Sequence, residues 1–183
     1  MYQIFANEDL NPEKIIKAEK IILSLQKELP DYIQKGHGPF LAAIYDEKGN
    51  LIAKTANSVM AENCSHNHAE MNVIKETERV LKTYDLSPYN LSLYVTSEPC
   101  MMCLGGIMWS GIKAVYFGVP SKQVEEITGF DEGFKPNWHE EFKKRNIEVF
   151  PEIETEIGKE ILNITFQTVK LLLSITWKLL KIF

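Results

Sequence analysis

The sequence predicts a single α/β domain built on a mixed sheet with helices on both faces. Three observations carry that reading. Apolar residues recur at helical spacing near the start, two β-rich segments joined by a short polar turn follow, and apolar strands then alternate with helical stretches. At 183 residues, with hydrophobic residues at 45%, the chain has the length and composition of one soluble domain, and a domain this size buries roughly 70% of its extended surface.

Asn11-Pro12 reads as an N-cap followed by proline in the first helical turn. Ile15, Ile16, Ile21, Ile22, Leu25 and Leu29 continue it at helical spacing, and Pro30 is expected to stop the run. The segments 40–45 and 51–56, joined by Asp46-Glu47-Lys48-Gly49-Asn50, form a hairpin signal. A polar loop over 57–67 leads into a helix over 68–82. A strand is predicted over 91–96 and a helix over 100–110, closed by Gly111. The apolar stretch 113–119 reads as a buried strand. After a loop rich in Gly and Pro, a helix is predicted over 138–144 and a short strand over 147–150. The order implies a sheet that is antiparallel at the hairpin and parallel beyond it.

The end of the chain follows another pattern, so the sequence divides into residues 1–165 and a hydrophobic helical tail over 166–183. In the tail Gln167, Lys170, Ser174, Lys178 and Lys181 make one narrow polar stripe on an otherwise apolar helix. Its lysines break the apolar run too often for a membrane span, so no stable membrane insertion is expected. Packing on the domain or on a partner subunit is the preferred reading, with a membrane-surface helix as the other.

Charge and cysteine usage narrow the function. With 20 basic and 25 acidic residues the net charge is −5, which argues against a protein that grips phosphate backbones, and no nucleic-acid partner is expected. Residues 1–10 show no positive region followed by an apolar run, and three cysteines make a poor disulfide framework. The expected location is the cytoplasm.

Two segments carry the chemistry: His68-Ala69-Glu70 and Pro99-Cys100-Met101-Met102-Cys103. A C-x-x-C pair at a helix start places both sulfurs on one turn, where the positive helix end favours thiolates. One histidine from a second helix start completes three ligands for a zinc ion, and a catalytic zinc keeps a fourth position open for water. Glu70, two residues beyond His68, is placed to move protons without binding the metal. Other readings of C-x-x-C stay open: a redox pair, although TSEPCMMC with His68 upstream does not resemble a thioredoxin-like context, or a structural zinc with Cys64 or His66 as fourth ligand. Cys64 otherwise reads as a plain buried or loop cysteine. The combination H-x-E…P-C-x-x-C is the signature of zinc deaminases.

The stretch from Gly38-Pro39-Phe40 through Asn57, together with HAEMNVI, TSEPCMMCLGGIMWSGIKAVYFG and TGFDEGF, resembles the cytidine deaminase-like superfamily over roughly residues 10 to 162. Within it the chain is most similar to bacterial guanine deaminases. The resemblance implies a three-layer α/β/α sandwich around a mixed five-stranded sheet, one Zn2+ per chain, a small-molecule nucleobase substrate and a homodimer. It implies metal ligation by His68, Cys100 and Cys103, and catalysis by Glu70 with Glu132, the latter contacting the purine amino group. It assigns Asn57 to the ring carbonyl of the substrate, and Phe40, Ala69, Ser97 and Trp109 to the base pocket. Backbone groups of Ser97 and Glu98 lie where the family contacts substrate.

The chain departs from that pattern in two places. Guanine deaminases often close the site with a tyrosine-bearing C-terminal segment, whereas the last tyrosine here is Tyr116, and Leu41 stands where relatives place glycine. The implied reaction is hydrolysis of guanine to xanthine and ammonia. An aminotriazine or other free-base deaminase, a tRNA adenosine deaminase and a non-catalytic zinc-binding scaffold are the alternatives.

Overall fold

The protein is described from a computed structural model covering residues 11–131, 133, 135 and 137–180, with 172–180 followed as helical backbone. The chain begins with helix α1 (Pro12–Gln34), whose N-cap Asn11 accepts a hydrogen bond from the Glu13 N–H at 3.0 Å. Pro30 does not end this helix. It lies inside α1, because burying Leu29 and Ile33 at 1% and 4% exposure holds the last turn in place despite the lost amide.

Strands β1 (Leu41–Tyr45) and β2 (Leu51–Ala56) follow as the hairpin. The loop expected over 57–67 contains a four-residue helix, α2 (Val59–Glu62). Then come α3 (Ala69–Leu81), β3 (Ser92–Ser97), α4 (Met101–Ser110) and β4 (Ala114–Val119). Another helix, α5 (Ser121–Thr128), occupies what the sequence presented as loop. It buries Ser121, Val124 and Thr128 on one face, too small an apolar stripe for the pattern to announce. Helix α6 (Trp138–Lys144), strand β5 (Glu148–Phe150) and helix α7 (Thr155–Leu180) complete the chain. Helix α7 starts well before residue 166, so the division expected at 165/166 falls inside one continuous helix. Among the described residues no helix is long and apolar enough to cross a membrane.

The sheet has five strands in the order β2-β1-β3-β4-β5. β1 is antiparallel to both β2 and β3, so antiparallel pairing extends one strand past the hairpin, while β3, β4 and β5 are parallel. Side-chain alternation splits the core into two layers. Ala42, Ile44, Leu93, Val95, Val115 and Phe117 pack with residues of α3, α4 and α6 on one face. Leu41, Ala43, Tyr94, Tyr116 and Phe150 pack under α1 on the other, where α7 also lies against α1 and β4. On this second face Tyr94 stacks on Tyr116 at 4.7 Å, and Tyr116 on Phe150 at 4.2 Å, in nearly parallel planes.

This topology brings several chain segments to one edge. β2, β3 and β4 all run the same way, and β1 runs against them. Phe40 before β1, Asn57 after β2, Ser97 at the end of β3 and Pro120 after β4 therefore meet at the same end of the sheet. The carboxyl ends of strands in open α/β sheets are where ligands bind.

Candidate metal centre and its surroundings

His68 and Cys100 occupy equivalent places, each the extended N-cap of the helix that follows it. Their helices, α3 and α4, pack side by side on the same face of the sheet. The unpaired amides of both first turns thus point toward one small volume, where the local field favours anionic sulfur. Cys103, one turn into α4, is fully buried beneath them, and His68 and Cys100 are half-buried.

His68 Nδ1 lies 3.5 Å from Cys100 Sγ and 3.7 Å from Cys103 Sγ, and the two sulfurs are 3.6 Å apart. Those distances test whether zinc fits. Bonds of about 2.3 Å to sulfur and about 2.0 Å to nitrogen, set tetrahedrally, separate sulfur from sulfur by about 3.8 Å and sulfur from nitrogen by about 3.5 Å. The donor set matches zinc in element type and spacing. A disulfide is excluded, since a sulfur pair bonds at about 2.05 Å and both cysteines are free. Among the described residues, the group of side chains placed to share one ion consists of His68, Cys100 and Cys103. Cys64 and His66 contact each other at 3.4 Å but stand outside that group, so neither closes the site as a fourth ligand.

Without an ion the two thiols share a proton. Cys100 is pulled down to about 4, first by the hydrogen bond with Cys103, against burial, and further by His68. Cys103 is pushed up by that same bond, by burial and by the carboxylate of Glu70 beside it. Glu70, in the first turn of α3, is only 5% exposed. It therefore adjoins the ligand set without being one of its members.

The remaining candidates line the same edge in part. The side-chain oxygen of Asn57 accepts the Val59 N–H at 3.2 Å, and its backbone N–H donates to the Phe40 carbonyl at 3.0 Å. The adjoining segment is tied to α3, with Thr55 Oγ1 donating to the Ala69 carbonyl at 2.9 Å and Asn72 Nδ2 to Ser58 Oγ at 2.9 Å. Ala69 is fully buried and Ser97 is 7% exposed. Phe40 is half-buried and faces Phe130, which in turn meets Phe166 edge-on at 5.3 Å. Trp109 stands apart. It is 89% exposed and lies about 13 Å along the helix axis from Cys100 at 1.5 Å per residue. Glu132 lies outside the described residues.

The sequence reading covers only the backbone of Glu98; its side chain forms a buried pair at this edge. The Glu98 side chain is 2% exposed and pairs with Lys135 at 3.4 Å, while its other oxygen accepts the Ser121 N–H at 2.9 Å. Burial lowers the basicity of nearby His139, with Glu98 opposing and Lys135 reinforcing the effect. No spacing rule links Glu98 to Lys135, which are remote in the chain, so the sequence carried no signal of the pair.

Residues 16–119 match the family described as the cytidine and deoxycytidylate deaminase zinc-binding region. A guanine deaminase from Bacillus subtilis (strain 168) is 39% identical over 97 residues, covering 53% of this chain and 60% of that protein. A tRNA-specific adenosine deaminase from Buchnera aphidicola subsp. Schizaphis graminum is 41% identical over 83 residues, or 45% of this chain and 52% of that protein. The chain thus spans between half and two thirds of the length of these sequence relatives. A solved guanine deaminase from Nitrosomonas europaea is 28% identical, with a TM-score of 0.78, covering 91% of this chain and 100% of that one.

Proposed function

The chain belongs to the cytidine and deoxycytidylate deaminase family, and on that premise we propose that it is a zinc-dependent hydrolytic deaminase of a free nucleobase. Guanine is the preferred substrate, converted with water to xanthine and ammonia. One observation carries the reaction type: a buried carboxylate, Glu70, stands against a His68–Cys100–Cys103 set whose spacing fits zinc. One zinc per chain is held by those three side chains. When bound, zinc supplies Lewis acidity that brings the deprotonation of water near neutral pH.

The chain's own groups do the rest. Glu70 takes a proton from the attacking water as its oxygen bonds to the ring carbon bearing the amine. It returns that proton to the ring nitrogen, then carries the proton of the added hydroxyl to the amine, so the ring carbonyl forms as the C–N bond breaks and ammonia leaves. Burial among α3 and α4 keeps bulk water from competing for the carboxylate. Asn57 orients the ring. Because its oxygen is engaged by Val59 N–H, its amide nitrogen is left to donate, which suits a ring carbonyl such as guanine bears and adenine lacks. Similarity to guanine deaminases from two bacteria supports the same choice. Glu132 is assigned to the purine amino group by the resemblance alone.

The identity to a tRNA-specific adenosine deaminase supports a second reading, adenosine deamination in RNA, and the net charge of −5 weighs against it. An ammonia-release assay of the zinc-loaded protein separates the two. It covers guanine, cytosine, adenine, ammeline, guanosine and a tRNA anticodon stem, with Glu70→Gln as the blank. Guanine turnover that disappears in the blank is the expected result. Turnover of the RNA alone moves the assignment to adenosine editing, and zinc binding without any turnover leaves a scaffold.

A further inference from the structure

Glu98 is gripped by two segments distant from its own in sequence. Its backbone N–H donates to the Val119 carbonyl at the end of β4 at 2.8 Å. One carboxylate oxygen accepts the Ser121 N–H at 2.9 Å, and the other faces the Lys135 ammonium at 3.4 Å. Lys135, whose side chain is 14% exposed, also donates to the Ser121 hydroxyl. A charge pair this deep needs both partners, since removing one leaves an uncompensated charge in a poorly solvated place. Only Pro99, with its locked φ, separates Glu98 from the ligand Cys100. A displacement of Glu98 is therefore passed to the first thiolate with little slack. The deaminase chemistry above uses neither charge of the pair.

We infer that Lys135 is a positioning residue for the metal-ligating turn. Through its buried pair with Glu98 it fixes the Glu98-Pro99-Cys100 corner, and so the placement of Cys100 Sγ relative to Cys103 and His68. Lys135 thereby helps to set metal affinity, although it supplies no ligand to the set. The inference rests on the zinc reading of the site and not on which base is deaminated.

The test uses the zinc-loaded full chain. Lys135→Met keeps the stem and removes the charge, and it gives up zinc to a competing chelator with about 10-fold lower affinity than the wild type, the scale on which supporting groups around a zinc site act. Lys135→Arg keeps the charge and retains zinc within about threefold of wild type. Cobalt in place of zinc reports the geometry: its visible bands shift in Lys135→Met and return in Lys135→Arg, a response that general destabilisation does not produce. If Lys135→Met does not fold, the double variant Glu98→Gln/Lys135→Met removes both charges and is held to the same outcome. A folded variant of either kind with wild-type zinc retention and cobalt bands overturns the inference. Neither readout needs turnover, so a chain that binds zinc but deaminates nothing sinks the proposed reaction and leaves this inference standing. A wild-type chain that binds no zinc overturns both.

Discussion

His68 Nδ1 and Cys100 Sγ stand 3.5 Å apart although 32 residues separate them in the chain. Each caps its own helix, and the packing of α3 against α4 on one sheet face makes the two caps coincide. The site is thus a property of two helix starts held together by the core beneath them. Its parts have separable tests.

Glu70→Gln is expected to keep zinc and lose turnover. The amide is close in shape to the carboxylate, and Glu70 stands outside the ligand group, so metal content measured by atomic emission stays at the wild-type level. Guanine turnover falls by about 10²–10⁴-fold, the range that a general acid–base group contributes. Zinc loss in parallel with activity would instead make Glu70 a ligand.

The shared proton of the two cysteines gives the metal-free protein a pH signature. Cys100 lies at about 4 against an ordinary value of 9.0, and Cys103 lies above that value. From about pH 4 up to the ordinary thiol range the unfolded chain holds one more proton than the folded one, so the contribution of Cys100 grows as pH rises. It is lost as pH falls through the folded value. Cys103 has the opposite sign: its contribution is present below the ordinary thiol range and declines above it. The melting temperature of the metal-free protein, less that of Cys100→Ser/Cys103→Ser, is expected to climb between about pH 5 and about pH 8. A flat difference refutes the shared proton.

Gly38→Ala reaches the substrate side without touching the metal. A Cβ at Gly38 would lie 2.8 Å from Asn57 Oδ1, too close for ordinary contact, while the Gly38 N–H is tied to the Asn57 carbonyl at 2.9 Å. The Asn57 amide has to turn away. The expected outcome is a KM for guanine raised about 10-fold with zinc content and melting temperature near wild type. An unchanged KM removes Asn57 from the substrate contacts.

Gly111 is the opposite case, a site of stability alone. It ends α4 with φ +87°, and an added Cβ would meet the Ser87 backbone nitrogen at 2.6 Å. Gly111→Ala combines left-handed strain with a clash that no rotamer relieves, and is expected to cost about 1–3 kcal/mol in chemical denaturation. Zinc stoichiometry of the folded fraction stays that of the wild type.

Much of the architecture was legible because it rests on local rules. Asn11-Pro12, the 46–50 turn and Gly111 mark boundaries through capping and turn chemistry, and those boundaries stand where the residues placed them. Pro30 and α5 depart from the local rules for one reason: in both, burial against the sheet or α7 outweighs local propensity, and burial is not written in a window of neighbours.

The donor types, a histidine and two cysteines beside a glutamate, and the caps that present them are legible in the residues, because side-chain chemistry and helix starts are set within a few neighbours. That these donors meet at zinc-like distances, that Trp109 faces outward from its own chain, and that Lys135 reaches Glu98 comes from packing alone. Those relations arise from how helices and strands stack across the whole domain. No short stretch of chain holds the distance between two elements that only the shared core brings together.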